Sequence, residues 1–292
     1  LISSPLVHEF PALPSIRDKT LVVWAKPTDL AQRGGSVLTL ESRDRFDAIV
    51  FGELKPGAWM IGSEMFRRTQ RDQQGYPVEQ AVPKQPLRLA AVYRGRHVTL
   101  YRDDSVIADY EMPDAPAEFG SGAQVLIGLR HRARMGQRDS YFAGEVYEAR
   151  IYDRALSAAE VAVLKLGGKS EPNPLARWTF DDGRCRDSEG TFPDGKLCGG
   201  AIIRGGRLIL NGKDAYMSTP TGTVWRNAFH YRPATGSFAD PIPFYWNGEY
   251  HVFYLQGDVG PVPWQHIVSR DLVHWKELPT ALVSDGPPDS PD

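Results

Sequence analysis

The strongest constraint on this chain is a succession of short runs rich in Val, Ile, Leu and aromatic residues: LVVWAKP (21–27), SVLTLES (36–42), FDAIVFGE (46–53), LRLAAVYRG (87–95), HVTLYRD (97–103), AQVLIGLR (123–130) and GEVYEARIYD (144–153). Strand side chains alternate between two faces, so short alternating or β-branched runs that end in Gly, Pro or Asp turns predict strands. Seven of them at this spacing fit an antiparallel sandwich. The 28 glycines and 23 prolines scattered among them supply the turns. The stretch RALSAAEVAVLKLGG (154–168) changes period. Ser157 with Glu160 three residues on forms a capping box, Leu156, Val161 and Leu164 follow at helical spacing, and Gly167 ends the pattern, which predicts one short closing helix.

The polar segment KSEPNPLA (169–176), with two prolines, marks a boundary. RWTFDDG (177–183) and GRLILNGKDAYMSTP (206–220) then predict two strands around a loop that holds both cysteines. Cys185 and Cys198 either close a small hairpin disulfide or stay free thiols. Beyond Trp225 aromatic residues and histidines become dense. PFYWNGEYHVFYLQ (243–256) reads as a strand, an Asn247-Gly248 turn and a second strand, and WQHIVSR (264–270) and HWKELPTAL (274–282) follow. The tail SDGPPDSPD cannot form another strand. A propeller blade takes roughly 40–45 residues, so one blade and a little more fit here, and the sequence reads as cut short.

Composition excludes several classes. A formal charge of -2 and pI near 6.4 give no general pull toward nucleic acid or anionic lipid. No run approaches the roughly 18 apolar residues a spanning helix needs. The chain begins at Leu1 without a leader pattern, so a signal peptide was either removed or never included, and the expectation is a secreted or periplasmic protein. LKLGGKS (164–170) has Val163 where a phosphate-binding loop needs its first Gly, and FGSGAQ (119–124) is followed by Val125 where a dinucleotide fingerprint needs its third. There is no Gly-x-Ser-x-Gly elbow. His230, His251, His266 and His274 crowd the later part, but their spacings match no metal motif, so no metal is expected.

GEVYEARIYDRALSAAEVAVL (144–164), together with LVVWAKP as an early strand, resembles laminin-G-like, concanavalin A-like jelly rolls over roughly residues 15 to 166. That resemblance implies a module that binds glycan or protein, or a spacer beside an enzyme; the fold alone does not choose. Trp24, Trp59 and Tyr93 are expected in the core, 45–47 at a turn and strand start, and no calcium or sugar cluster stands out. The stretch 174–220 resembles the opening strands of another such sandwich and is expected to pack on the first.

The later region resembles the opening of glycoside hydrolase family 32, the β-fructosidases that include invertase, levanase and inulinase, and more distantly the family 43 and 68 propellers. His230 and Pro233, Asp240-Pro241, Gly248, Tyr250-His251, Phe253-Tyr254, Trp264, His266, Ser269, Asp271-Leu272 and Trp275 fall at that family's motif positions. The resemblance implies a pair of carboxyls flanking a glycosidic bond, with Asp240 as nucleophile or, as in family 43, as general base; the roles follow from a separation of roughly 5–5.5 Å or 6.5–9.5 Å between the two. It also implies substrate contacts from Trp264 and His266, and a chemistry of carboxyl groups alone that needs no cofactor. The family's Asn before the Asp is Ala239 here, and its Asn-Gly after the Pro is Ile242-Pro243. The Arg-Asp-Pro stabiliser and the Glu-Cys acid/base do not occur after Asp240, and Glu249 and Glu277 read as structural or solvated.

The expected architecture is therefore all-β: a concanavalin A-like sandwich at 1–168, a connecting β segment at 169–222 and the first blade of a truncated five-bladed propeller at 223–292. The expected function is a β-fructosidase-type glycoside hydrolase acting on fructan, sucrose-like or related glycans, inactive as this chain alone, with an accessory carbohydrate-binding sandwich. The alternative is a non-catalytic glycan-binding or adhesion protein. No nucleic-acid partner and no membrane span are expected.

Overall fold

The computed structural model describes residues 15–120, 122–220, 239–255, 263–272 and 275–283. The chain divides into two compact units, Leu1–Thr223 and Val224–Asp292. The first contains β1 (Lys19–Pro27), β2 (Gly35–Ser42), β3 (Arg45–Phe51), β4 (Trp59–Ser63), β5 (Leu87–Arg94), β6 (His97–Arg102), β7 (Ser105–Glu111), β8 (Gln124–Ile127) and β9 (Ala143–Tyr152). After these come α1 (Ala158–Ala162), β10 (Ala176–Thr179), β11 (Lys196–Cys198), β12 (Ile202–Ile203), β13 (Leu208–Asn211) and β14 (Tyr216–Ser218). The seven strands expected before residue 154 all form. Pattern reading passes over β7, a largely exposed edge strand, and the short β4.

The strands make two antiparallel sheets, in the orders β12-β13-β9-β1-β5-β6-β7 and β11-β14-β8-β2-β3-β4. Strand β9 organises the join. Its first half, Ala143–Val146, pairs with β13, and its second half, Glu148–Ile151, pairs with β10, so two short strands share one edge end to end. In the other sheet β14 pairs with β8 and β11 with β14. The segment after residue 169 thus adds strands to both layers.

Strand alternation explains why β1 is buried on both faces. Leu21, Val23 and Ala25 enter the core between the sheets, beside Leu89, Ala91 and Tyr93 of β5. Val22 and Trp24 point the other way, into a second cluster with Ala90, Val92, Leu156, Val161 and Leu164. The cover is α1 and its flanks. The capping box forms as read: Glu160 N donates to Ser157 Oγ at 3.3 Å, and Ser157 N donates to Glu160 Oε2 at 2.6 Å. The helix stops after five residues, shorter than the 154–168 pattern, with Arg88 donating to the carbonyls of Ala162 and Leu164 at its end. Trp24, Trp59 and Tyr93 are all buried.

The sandwich also buries charge. Lys19 Nζ lies 2.8 Å from Asp47 Oδ2, both fully buried, and sits over the Tyr93 and Phe119 rings. Arg68 Nε bonds Asp47 Oδ1 at 2.8 Å, and its two terminal nitrogens bond Glu64 at 2.7 and 2.6 Å. Burial alone would lower the Arg68 pKa, but Glu64 and Asp47 offset that and raise it. Cys185 and Cys198 are both free thiols; burial, with help from Asp182, Asp194 and Cys198, pushes Cys185 up to about 11. Among the described residues, no helix is long and apolar enough to cross a membrane.

The second unit is a four-stranded antiparallel meander, the form of a propeller blade: β15 (Ala239–Trp246), β16 (Glu249–Leu255), β17 (Trp264–Ser269) and β18 (Lys276–Leu282), in that order. Asn247 and Gly248 link β15 to β16 with positive φ at both positions (49° and 83°), the two-residue turn that Asn-Gly favours. Val252, Tyr254 and Ile267, with Trp275 packed against them, form a small core on one face.

Candidate functional site

The register of β15 against β16 slips once. Ala239 faces Leu255 and Ile242 faces Phe253, so three steps on β15 meet two on β16, and Asp240-Pro241 forms a bulge. Asp240 is exposed there with φ 45°. Asp is among the few residues that tolerate a left-handed backbone, and Pro241 bars the right-handed helical alternative to the residue before it. The bulge turns this side chain out of the regular alternation of the strand.

Across the sheet, Leu255 of β16 pairs with Trp264 of β17, which places Trp264 in the register row that begins at Ala239, next to Asp240. His266 lies one same-face step further along, opposite Phe253. Three strands therefore bring all three sequence-predicted residues to neighbouring register rows. Trp264 and His266 are half-buried.

His266 sits in an aromatic ladder. Its ring stacks on Phe253 at 4.1 Å between centroids and near His251 at 5.2 Å, while Phe244 stacks on both His251 (5.0 Å) and Phe253 (5.9 Å). His251 Nδ1 and His266 Nε2 are 3.0 Å apart, so the two rings share one hydrogen bond, and His251 Nε2 is buried without a partner. Burial and then the His251 charge lower the His266 pKa. The pairing was hidden in sequence because His251 and His266 stand on different strands, related by register and not by spacing.

The other nearby carboxylates are engaged or solvated. Glu249 accepts from Arg270 Nε at 2.9 Å, and Glu277 is exposed at the start of β18. Ser269 Oγ donates to Asp271 Oδ1 at 3.1 Å and accepts from Asp271 N at 3.2 Å, which closes the turn after β17. His230, Pro233 and His274 lie outside the described residues. Chemically, the site offers one exposed carboxylate on a fixed bulge beside an indole and a weakly basic imidazole.

Comparison with known proteins fits both units. Residues 230–291 match the family model of the glycosyl hydrolases family 32 N-terminal domain, and residues 7–162 match that of the concanavalin A-like lectin/glucanases superfamily. A fructan 1-exohydrolase of Triticum urartu is 42% identical over 108 residues, covering 34% of this chain and 18% of that protein. One of Hordeum vulgare is 46% identical over 76 residues, covering 24% and 13%. This chain thus spans under a fifth of the length of these relatives. Among solved structures, a heptameric SAP-like pentraxin from Limulus polyphemus covers 73% of this chain and 88% of its own at 13% identity, with a TM-score of 0.37. Residues 230–291 thus match the family 32 N-terminal domain, and the chain belongs to the concanavalin A-like lectin/glucanases superfamily.

Proposed function

We propose that this protein acts as a β-fructosidase-type glycoside hydrolase, exported to the extracellular or periplasmic space, whose sandwich serves as an accessory carbohydrate-binding module. The observation that carries the reading is Asp240, exposed on a left-handed bulge within the stretch that matches the family 32 domain. The fructan 1-exohydrolase similarity supports fructosyl linkages as the substrate.

In this reading Asp240 is the carboxylate on the anomeric side of the scissile bond, either attacking carbon or activating water. Trp264 offers an apolar ring for a sugar face, and His266 donates to or accepts from a hydroxyl. Its lowered pKa keeps the imidazole neutral near pH 7, able to do either. Glycosidic cleavage also needs an acid to protonate the leaving oxygen. Glu249 is held by Arg270, and neither Glu-Cys nor Arg-Asp-Pro follows Asp240, so these 292 residues hold one half of the carboxyl pair.

The test is hydrolysis of sucrose, inulin and levan by the 292-residue chain and by the complete open reading frame that encodes it. Turnover is expected only where the second carboxyl is present, and Asp240→Asn, nearly isosteric but uncharged, should reduce it by 10³-fold or more, an order-of-magnitude expectation for a lost covalent or base role, with no change in melting temperature. Retained turnover in the variant removes Asp240 from the mechanism. A complete protein that binds fructan without cleaving it is instead a glycan-binding protein.

A further inference from the structure

Among the described residues of the sandwich, two neighbouring open cavities, of about 570 and 560 Å³, share the wall Met65, Phe66 and Arg67. Both volumes lie within the range of small-molecule sites, roughly 300–1,000 Å³. The second is bounded also by Phe46, Arg130 and His131, and it has the features of a built site.

Its shared wall is a single tight turn, Glu64–Phe66, in which Met65 (φ 50°) and Phe66 (φ 59°) are consecutive left-handed residues. Side chains other than Gly, Asn and Asp rarely adopt that backbone, and it persists only where the surroundings impose it. Arg68 imposes it here. Besides gripping Glu64 and Asp47, its guanidinium donates to Phe46 O at 2.9 Å, and Arg68 N donates to Ser63 Oγ at 2.9 Å, so the turn is fixed at its base. Met65 is left 79% exposed on that base. On another wall the His131 ring lies stacked on the buried Phe46 ring, 4.6 Å between centroids and 15° between planes, a flat surface of fixed orientation.

Charge decides the ligand class. Arg45, Arg67 and Arg130 in the lining are matched by Asp44, Glu53 and Glu64. The least exposed members are already paired, Arg130 with Glu53 and Glu64 with Arg68. Arg67 faces Asp114 at 3.9 Å, which leaves Arg45 beside its neighbour Asp44, so no net charge remains to select an anion or a cation. Flat rings and a thioether beside fixed polar groups suit a ligand with apolar C–H faces and neutral hydroxyls. We propose that this cavity binds an uncharged saccharide chain, packed against Met65, Phe66 and His131. The proposal rests on the reading of this protein as one that acts on glycans, and it adds where on the sandwich a glycan is held.

The test uses the full chain carrying Asp240→Asn, so that binding is read without turnover. Calorimetric titration with inulin, levan, a linear glucan and xylan is set beside a polyuronate and sialyllactose as charged probes. At least one uncharged saccharide should bind, and His131→Ala and Met65→Gly should each weaken it tenfold or more. Met65→Gly should do so with an unchanged or raised melting temperature, because glycine accepts the left-handed backbone. Absence of binding to every uncharged probe, binding of the charged probes alone, or unchanged affinity in both variants overturns the proposal. Hydrolysis measured in parallel on the complete open reading frame with Asp240 intact, where turnover is expected, separates the two readings. Binding that depends on His131 without any turnover sustains this site and sinks the hydrolase, whereas turnover without binding here does the reverse.

Discussion

Lys19, Asp47 and Arg68 form a costly arrangement of single residues in the sandwich, since two cations and a carboxylate are taken out of water together. Such a cluster survives because each charge is matched; removing one partner leaves the others buried and uncompensated. Asp47→Asn is therefore expected to destabilise the first unit by about 3–5 kcal/mol in urea unfolding followed by tryptophan fluorescence. A loss under about 1 kcal/mol would mean that Glu64 alone holds Arg68 and that Lys19 needs no counter-charge.

His266 makes the second residue-scale prediction, one of pH. Its folded-state pKa is depressed below the ordinary 6.5 by burial and by His251. Between the lowered value and 6.5 the unfolded chain binds a proton that the folded chain refuses. The contribution to stability is thus fully present above about 6.5 and is lost as pH falls toward the folded-state pKa. An NMR titration of the His266 ring should give a midpoint below 6.5, and the acid-side loss of stability in the second unit should shrink in His266→Gln. A midpoint at or above 6.5 would show that the shared hydrogen bond with His251 favours the charged form.

At the scale of elements, the decisive one is β9, whose outer edge is covered by β13 and β10 in succession. A chain ending at Gly168 would keep the helix but lose the five strands β10–β14, uncovering the β9 and β8 edges and the apolar side chains of Trp178, Leu208 and Met217's neighbours in the core. Residues 1–168 alone are expected to aggregate or to unfold below the melting temperature of a chain ending at Pro220. Equal melting temperatures for the two would show that β10–β14 add no stability. Some elements were plain from their residues: Ser157 and Glu160 form the box their spacing predicts, and Asn247-Gly248 turns as that pair must. These signals are local, closed within three or four residues, so sequence carries them whole. Strand β7 was not plain, because an exposed edge strand shows little of the apolar alternation that reveals a buried one.

Across the whole molecule, the all-β class, the run of strands, the start of the capped helix and the blade-like texture after Trp225 are legible in the order of residues, because periodicity and turn chemistry act between near neighbours. Resemblance to the family 32 motifs also singled out Asp240, Trp264 and His266. Tertiary structure alone decided that β10 and β13 complete the edge of β9, that Lys19 and Asp47 meet inside the sandwich, and that His251 and His266 share a hydrogen bond. It alone put Asp240 on a bulge and stood Met65 between two cavities. Each of these depends on strand register or on the closure of a long loop, and a contact between distant residues leaves no period in the sequence for a reader to find.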